Sequence, residues 1–519
     1  MTRLEGPRAF TTPSRAPNGV TRRTVKTAKR WLYLFHRWLG VATCVLCVMW
    51  FLSGLVMLYV PFPNWSDQER IAALPTVDTA RVNVTPDVAL AKAGTNIYPT
   101  AFRLEMLGGT PVYRIVAGGK HVVISAETGD EIGSVSAEDA ALHLFKVFPG
   151  VSHRLVETLD HDQWTVTRRY DAHRPLYRFA IDDGRGTIVY VSSQTGEIVQ
   201  NVTRPERFWN WLGAIPHWIY FTPIRRDQQL WRQSVMWLSG PLVIGAITGL
   251  WIGILRLRVR QPYKGGRVTP YRGWMKWHHI GGLVGGIFLT TWIFSGWLSV
   301  NPFQMFARTQ VTQEQRTDYA GWTPVSTSGV TSEALNAVGR LQPTDISFSW
   351  VGGQPFMIAR NHNTVALAEA KTGATTRIEN EFLLEAARHV RPENQIVETE
   401  VLTHEDVYWY SHHRQRPLPV IRAVFDDPAA TWVFLDPATG AIAGLSDTSG
   451  RTYRWLFNFF HDYDLPILLR NQPARDIIVW LLSIAGMVIS VSGIVIGWRT
   501  LKRSAKRSRP HGYEGRNAG

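Results

Sequence analysis

The stretch Phe35-His36-Arg37-Trp38-Leu39-Gly40, followed by an apolar run to Trp50-Phe51-Leu52-Ser53-Gly54, is stated twice in this 519-residue chain. Its second form is Trp277-His278-His279-Ile280-Gly281-Gly282, running to Trp292-Ile293-Phe294-Ser295-Gly296. Setting Ser53-Gly54 on Ser295-Gly296, 242 positions later, carries His36 onto His278, Gly40 onto Gly282 and Trp50 onto Trp292. Each copy reads as a histidine at the basic end of a helix long enough to cross a membrane.

Four apolar runs are long enough to span a hydrocarbon core of roughly 30 Å. They lie near Trp38–Val60, Val235–Leu255, Gly281–Val300 and Ile477–Trp498. Lys and Arg crowd before the first run, between the second and third, and after the fourth, and this accounts for most of the +15 net charge. That is the positive-inside pattern rather than a nucleic-acid surface, and it puts both termini and the middle loop in the cytoplasm. The expected order is a cytoplasmic tail (1–30), a first span (31–60), an outside domain (61–205), an interfacial segment (206–228) and a second span (229–256). A cytoplasmic loop (257–276), a third span (277–301), a second outside domain (302–450), its interfacial segment (451–474), a fourth span (475–500) and a cytoplasmic tail (501–519) complete it. The residues before Arg22 read as a disordered tail, and the first span as an uncleaved anchor.

The outside stretches read as α+β. Helices are expected at Asp87–Ala93 and Ala137–Phe148, and strands at Phe102–Met106, Val112–Val116, His121–Ser125, Gln163–Arg168, Leu176–Ile181 and Thr187–Ser192. Thr-Gly turns close these units at Thr128-Gly129 and Thr195-Gly196, and again at Thr372-Gly373 and Thr439-Gly440, 244 positions later in both cases. Matched spacing of this kind indicates a duplication. Each half is helix, two small α+β units, then helix. The only cysteines, Cys44 and Cys47, lie inside the first run and read as small buried side chains.

Two aromatic segments follow the outside stretches, from Phe208 to Trp218 and from Tyr453 to Tyr463, and they carry His217 onto His461 at the same 244 spacing. The histidines thus form one symmetric pair per membrane face, His36 with His278 and His217 with His461. Facing helices of a bundle can hold a flat cofactor between histidines, and haem iron takes an axial ligand on each side. Two haem b groups ligated by His36/His278 and His217/His461 are expected, with His279 as the alternative to His278. Gly40 and Gly282, one turn from their histidines, leave room for a planar ring. Zinc or copper is the competing occupant, but no carboxylate or thiolate completes either set. The spans carry no acidic residue, which counts against a proton pump or ion-coupled transporter. His412-His413-Arg414 and Asp171-Ala172-His173-Arg174-Pro175 are outside segments dense enough to contact an anionic or metal-bearing substrate. No catalytic triad, zinc-protease motif or nucleotide fingerprint is present, so the electron donor is another molecule.

His36-Arg37-Trp38-Leu39-Gly40, the span ending Ser53-Gly54-Leu55, the turns Thr195-Gly196-Glu197 and Thr439-Gly440, and Trp277-His278 through Gly282 make the chain resemble the PepSY-associated transmembrane family from about Arg30 to Lys502. The resemblance implies a multi-pass protein of the bacterial inner membrane, with four helices in two tandem repeats. Each repeat would carry a periplasmic pair of PepSY-like α+β units. It also implies reduction of a ferric chelate such as a ferrisiderophore, with electrons from a cytoplasmic or quinol donor. The alternative is a membrane-anchored PepSY module that binds a peptide, chelate or partner protein without catalysis. The second copy departs from the first at His279 and Gly281, and Gly373-Ala374 lacks the acidic residue present as Glu197.

Overall fold

A computed structural model describes residues 19–507 except 308 and 413, with the side chains of residues 19–23, 506 and 507 left aside. The outer parts of both expected tails, 1–18 and 508–519, and His413 lie outside the described residues. Three helices are long and apolar enough to cross a membrane: Gly19–Met57, Gln228–Arg256 and Gln472–Arg507. A fourth is added if two bent helices count as one span. The first helix stops short of Pro61 and Pro63, as proline's missing N–H and fixed φ dictate.

The third apolar run departs from the single span expected over 277–301. It is two helices, Trp274–Val284 and Gly286–Leu298, bent by 68°. The break falls among Gly281, Gly282, Gly285 and Gly286. A Cβ on Gly285 would lie 3.1 Å from the Cβ of Ala485 and 3.3 Å from the Gly281 carbonyl oxygen, so the last helix packs where any side chain would intrude.

The chain divides into two compact units. One comprises described residues 19–48, 240–290 and 484–507; the other comprises 49–239 and 291–483. The second unit holds three antiparallel sheets. Strands β1 (Ala101–Leu107), β2 (Thr110–Ala117) and β3 (Lys120–Ser125) match three expected strands closely. Strands β4 (His153–Leu159), β5 (Leu176–Ile181), β6 (Ile188–Ser192) and β7 (Ile198–Val202) form a four-stranded sheet in sequence order. In the later stretch, β8 (Asp345–Val351), β9 (Gln354–Arg360) and β10 (Val365–Glu369) precede a second four-stranded sheet. That sheet is β11 (Ile396–Leu402), β12 (Val420–Phe425), β13 (Trp432–Leu435) and β14 (Ile442–Ser446).

Two expectations fail locally. Gln163–Arg168 is not a strand: the Asp162 carboxylate accepts from the backbone N–H of Trp164 and Thr165 and from the Thr165 hydroxyl, and so winds a turn there. The strand that pairs with β5 is instead β4, whose middle residues are all exposed and carry no apolar alternation. β7 was likewise not expected.

The two long polar stretches between the apolar runs share a sheet. β1 pairs with β8 through Arg103↔Ser347 and Leu104↔Ile346, giving the order β10-β9-β8-β1-β2-β3. Helices Pro86–Lys92 and Ser332–Gly339 cover it with Ala89, Leu90, Ala334, Leu335 and Val338, packed with Leu104, Tyr113, Ile346 and Phe348. An ionic network runs across the junction. Arg70 donates to Glu105 on β1 (2.8 Å) and to Asp345 on β8 (3.0 Å), and Glu105 also takes Arg114. Glu105, Asp345 and Arg114 are all buried. Burial alone would push the Glu105 carboxyl up, but Arg114, Arg103 and Arg70 outweigh it and hold it below the usual range.

Removing one partner of a buried ionic group costs far more than the pair contributes, because a charge is left uncompensated. Arg70→Met is expected to destabilise the second unit by about 3 kcal/mol, read as a lower thermal transition of the full chain in detergent. Arg168→Met, at an exposed arginine, is expected to change it by less than about 0.5 kcal/mol. The depressed Glu105 pKa fixes the sign of the acid response. Its contribution is fully present above the unfolded carboxyl value of about 4.3 and is lost as pH falls through the lower folded value, so the melting temperature should fall with acid more steeply in the native chain than in Glu105→Gln.

Candidate functional site: two facing imidazole pairs

Each predicted pair of histidines comes together, and each lies within one unit. In the first unit the rings of His36 and His278 have centroids 6.3 Å apart at 44°. In the second unit His217 and His461 are 6.1 Å apart at 60°.

All four rings are fixed through the same nitrogen. His36 Nδ1–H donates to the carbonyl of Gly245 at 3.0 Å, and His278 Nδ1–H to that of Ile489 at 3.0 Å, with Ser492 Oγ 3.1 Å away. His217 Nδ1 lies 3.0 Å from Ser53 Oγ and 3.2 Å from the Trp50 carbonyl. His461 Nδ1 lies 3.1 Å from Ser295 Oγ, whose own hydroxyl donates to the Trp292 carbonyl at 3.0 Å. A carbonyl only accepts, and a serine that has already donated accepts in turn. Nδ1 therefore carries the proton, and Nε2 keeps its lone pair in every ring. None of the four Nε2 atoms has a hydrogen-bond partner among the described residues. This tautomer, with one nitrogen anchored and the other free, is what metal-ligating histidines adopt.

Close backbone approach seats the rings. A Cβ on Gly249 would lie 2.5 Å from His36 Cε1, and one on Gly54 or Gly296 would lie 3.2 or 3.3 Å from Cε1 of His217 or His461. Trp50 and Trp292 complete the outer pair, their indole N–H donating at 3.0 Å to the backbone carbonyls of His217 and His461 respectively. Burial holds the His217 pKa down to about 4, so that ring is neutral at physiological pH. A π-helical turn, Arg454–Phe459, leads into His461 and stacks Phe457 on it at 5.3 Å; such turns recur at functional sites.

His279 does not join the pair. It is buried, its Nε2 lies 2.9 Å from the Gly253 carbonyl, and its ring meets Tyr271 edge-on. Ser53 and Ser295 are histidine anchors, and the repeated Trp-x-x-Ser-Gly spacing was the signal for it. Gly245 and Ile489 act through backbone carbonyls and left no sequence signal. Cys44 and Cys47 are free thiols; Cys47 is buried and Cys44 donates to the Gly40 carbonyl. Of the two dense outside segments, His173 is buried and His412 Nδ1 lies 3.7 Å from the Asp464 carboxylate.

The residues fit a haem on three counts. Two imidazoles sharing one metal ion between them, at metal–nitrogen distances of about 2.0 Å, would have centroids roughly 6 Å apart, and the two pairs lie 6.3 and 6.1 Å apart. The ligating nitrogens are free. Beside the inner pair, a Cβ on Gly282 would meet nothing within 4 Å and one on Gly40 only Cys44 Sγ at 4.0 Å, so space is open where a flat ring would lie.

Gly249→Ala is expected to displace His36 and to destabilise the first unit by about 1–3 kcal/mol, as overpacking does. Gly282→Ala is expected to leave thermal stability unchanged or slightly raised, since alanine favours the helix. Differential scanning of both variants checks the contrast. No protein-family model matches the chain, and no curated protein matches it.

Proposed function

We propose that the chain is a di-haem oxidoreductase of the bacterial inner membrane, passing electrons across the bilayer to reduce a periplasmic ferric chelate, a ferrisiderophore or its like. One electron converts Fe(III) to Fe(II), which the chelate holds more weakly. The electron comes from a cytoplasmic or quinol donor. The observation that carries this reading is the pair of imidazole pairs, each with Nδ1 anchored and Nε2 free.

Haem iron between two imidazoles exchanges single electrons and has no open position for oxygen or substrate. His36 and His278 would hold one group and His217 and His461 the other. Gly245, Ile489, Ser53 and Ser295 set the tautomer and orientation of the rings, and Gly40 and Gly282 leave room for a flat ring beside the inner pair. The apolar helices, with Lys and Arg at their proposed cytoplasmic ends, support four spans with both termini inside. Exposed Phe208, Trp209 and Trp211 on the short helix Arg204–Leu212 suit the outer membrane–water boundary. Two tandem repeats are supported by strand positions: β1, β2, β5 and β7 begin at residues 101, 110, 176 and 198, and β8, β9, β12 and β14 each begin 244 later. The resemblance to the PepSY-associated transmembrane family points to the same activity.

One observation favours the alternative, a membrane-anchored binding module. A cavity of about 290 Å³ in the second unit is lined by Tyr98, Arg103, Arg316, Ser349, Trp350 and Arg360. Arg103 Nε, Ser349 Oγ and Trp350 Nε1 are buried there without a hydrogen-bond partner among the described residues. Both readings can hold together only if the chain binds haem.

A reduced-minus-oxidised visible spectrum of the detergent-purified full chain, with haem quantified, separates them. Two b-type haems per chain are expected, falling to one in His217→Ala and to one in His278→Ala, with both retained in His279→Gln. A haem-free chain from haem-replete cells would remove the reductase reading and leave the binding module.

A further inference from the structure

We propose that His121, His173 and Glu197 form a binding site for a divalent first-row transition cation, zinc(II) or iron(II). The proposal shares no residue with either histidine pair and does not depend on the haem reading. His121 lies at the start of β3, His173 ends the turn Arg168–His173, and Glu197 follows the Thr195-Gly196 turn before β7. One ligand atom from each lies within 4.8 Å of the other two. The two imidazoles meet edge to face, with centroids 4.8 Å apart.

Their own hydrogen bonds do not account for the cluster. His121 Nδ1 is buried without a partner among the described residues. His173 is buried, and its Nδ1 has only Thr195 Oγ1 at a long 3.4 Å. Glu197 is ionised and shared. Oε1 takes Arg103 at 2.6 Å, while Oε2 takes the Thr195 hydroxyl at 3.2 Å and lies 3.9 Å from Arg114, which Glu105 already engages. A carboxylate offers about four lone-pair sites, so Oε2 has capacity for a cation.

At the 244 spacing that relates the strands, their counterparts are Val365, Pro417 and Ala441, none of which can ligate a metal. Two imidazoles and one carboxylate are the donor set of open zinc(II) and iron(II) sites. Magnesium and calcium, which prefer all-oxygen shells, are poorly matched.

The test is calorimetric titration of Zn²⁺, anaerobic Fe²⁺ and Mg²⁺ into the chelator-washed full chain as purified in detergent, beside His121→Gln and His173→Gln. The wild type should bind one Zn²⁺ or Fe²⁺ per chain through this site and no Mg²⁺, and each variant should weaken that binding at least tenfold, the scale on which even outer-shell losses act. Unchanged affinity in His121→Gln, or no binding in the wild type, would overturn the proposal. X-ray absorption of the Zn²⁺-loaded wild type gives a readout free of any variant: two imidazoles with one carboxylate support the site, and a first shell without imidazole sinks it.

Discussion

A neutral imidazole in an apolar helix bundle has two nitrogens to satisfy, one donor and one acceptor. Leaving either bare is costly where no water reaches. At all four sites the protein satisfies the donor and leaves the acceptor open. The anchoring groups are main-chain carbonyls and a serine, neither of which can be lost by rotation of a long side chain. Ring position is therefore set by backbone packing, and this explains why small residues line the approach. Gly249 and Gly54 bring a neighbouring helix against the imidazole, and the ring is held between its hydrogen bond and that surface. The open acceptors are what makes the arrangement chemically useful. Each pair thus offers two Nε2 lone pairs that no hydrogen bond engages among the described residues.

The second unit depends on a different constraint. Arg70 lies on a short helix opened by Ser66, with a reciprocal hydrogen bond to Glu69 that fixes the first turn. From there one guanidinium reaches two strands that are far apart in sequence but adjacent in the sheet. The direct β1–β8 ladder is only two residue pairs long. Phe102 and Phe348, tilted against each other across it with centroids 4.7 Å apart, and the Arg70 network supply what the short ladder lacks.

The parts legible in the sequence were those with a period. Strands β1, β2, β3, β5 and β6 alternate or carry continuous apolar runs, and the histidine pairs were visible because each is written twice at matched spacing. β4 was hidden because its exposed face gives no alternation. The false strand at Gln163–Arg168 looked apolar enough, but Asp162 captures the backbone locally, which a periodic reading does not weigh. The bend at Gly285 depends on what packs there, Ala485, two hundred residues away. Partner carbonyls such as Gly245 and Ile489 have no side-chain signature at all. Ser53 and Ser295 stand out only as part of the repeat, since serine beside glycine on an apolar helix serves close packing as often as hydrogen bonding.

The shared six-stranded sheet bears on how the chain is made. β1 emerges with β2 and β3 as a meander whose outer edge stays unpaired until β8 has been synthesised, some 240 residues later. Contacts of such sequence separation are formed late and slow folding, and an open strand edge is a template for wrong partners in the interval. Arg103 lies on that edge with its charge paired to Glu197. The first half of the chain is thus an incomplete domain, and its maturation waits on the translation of the second.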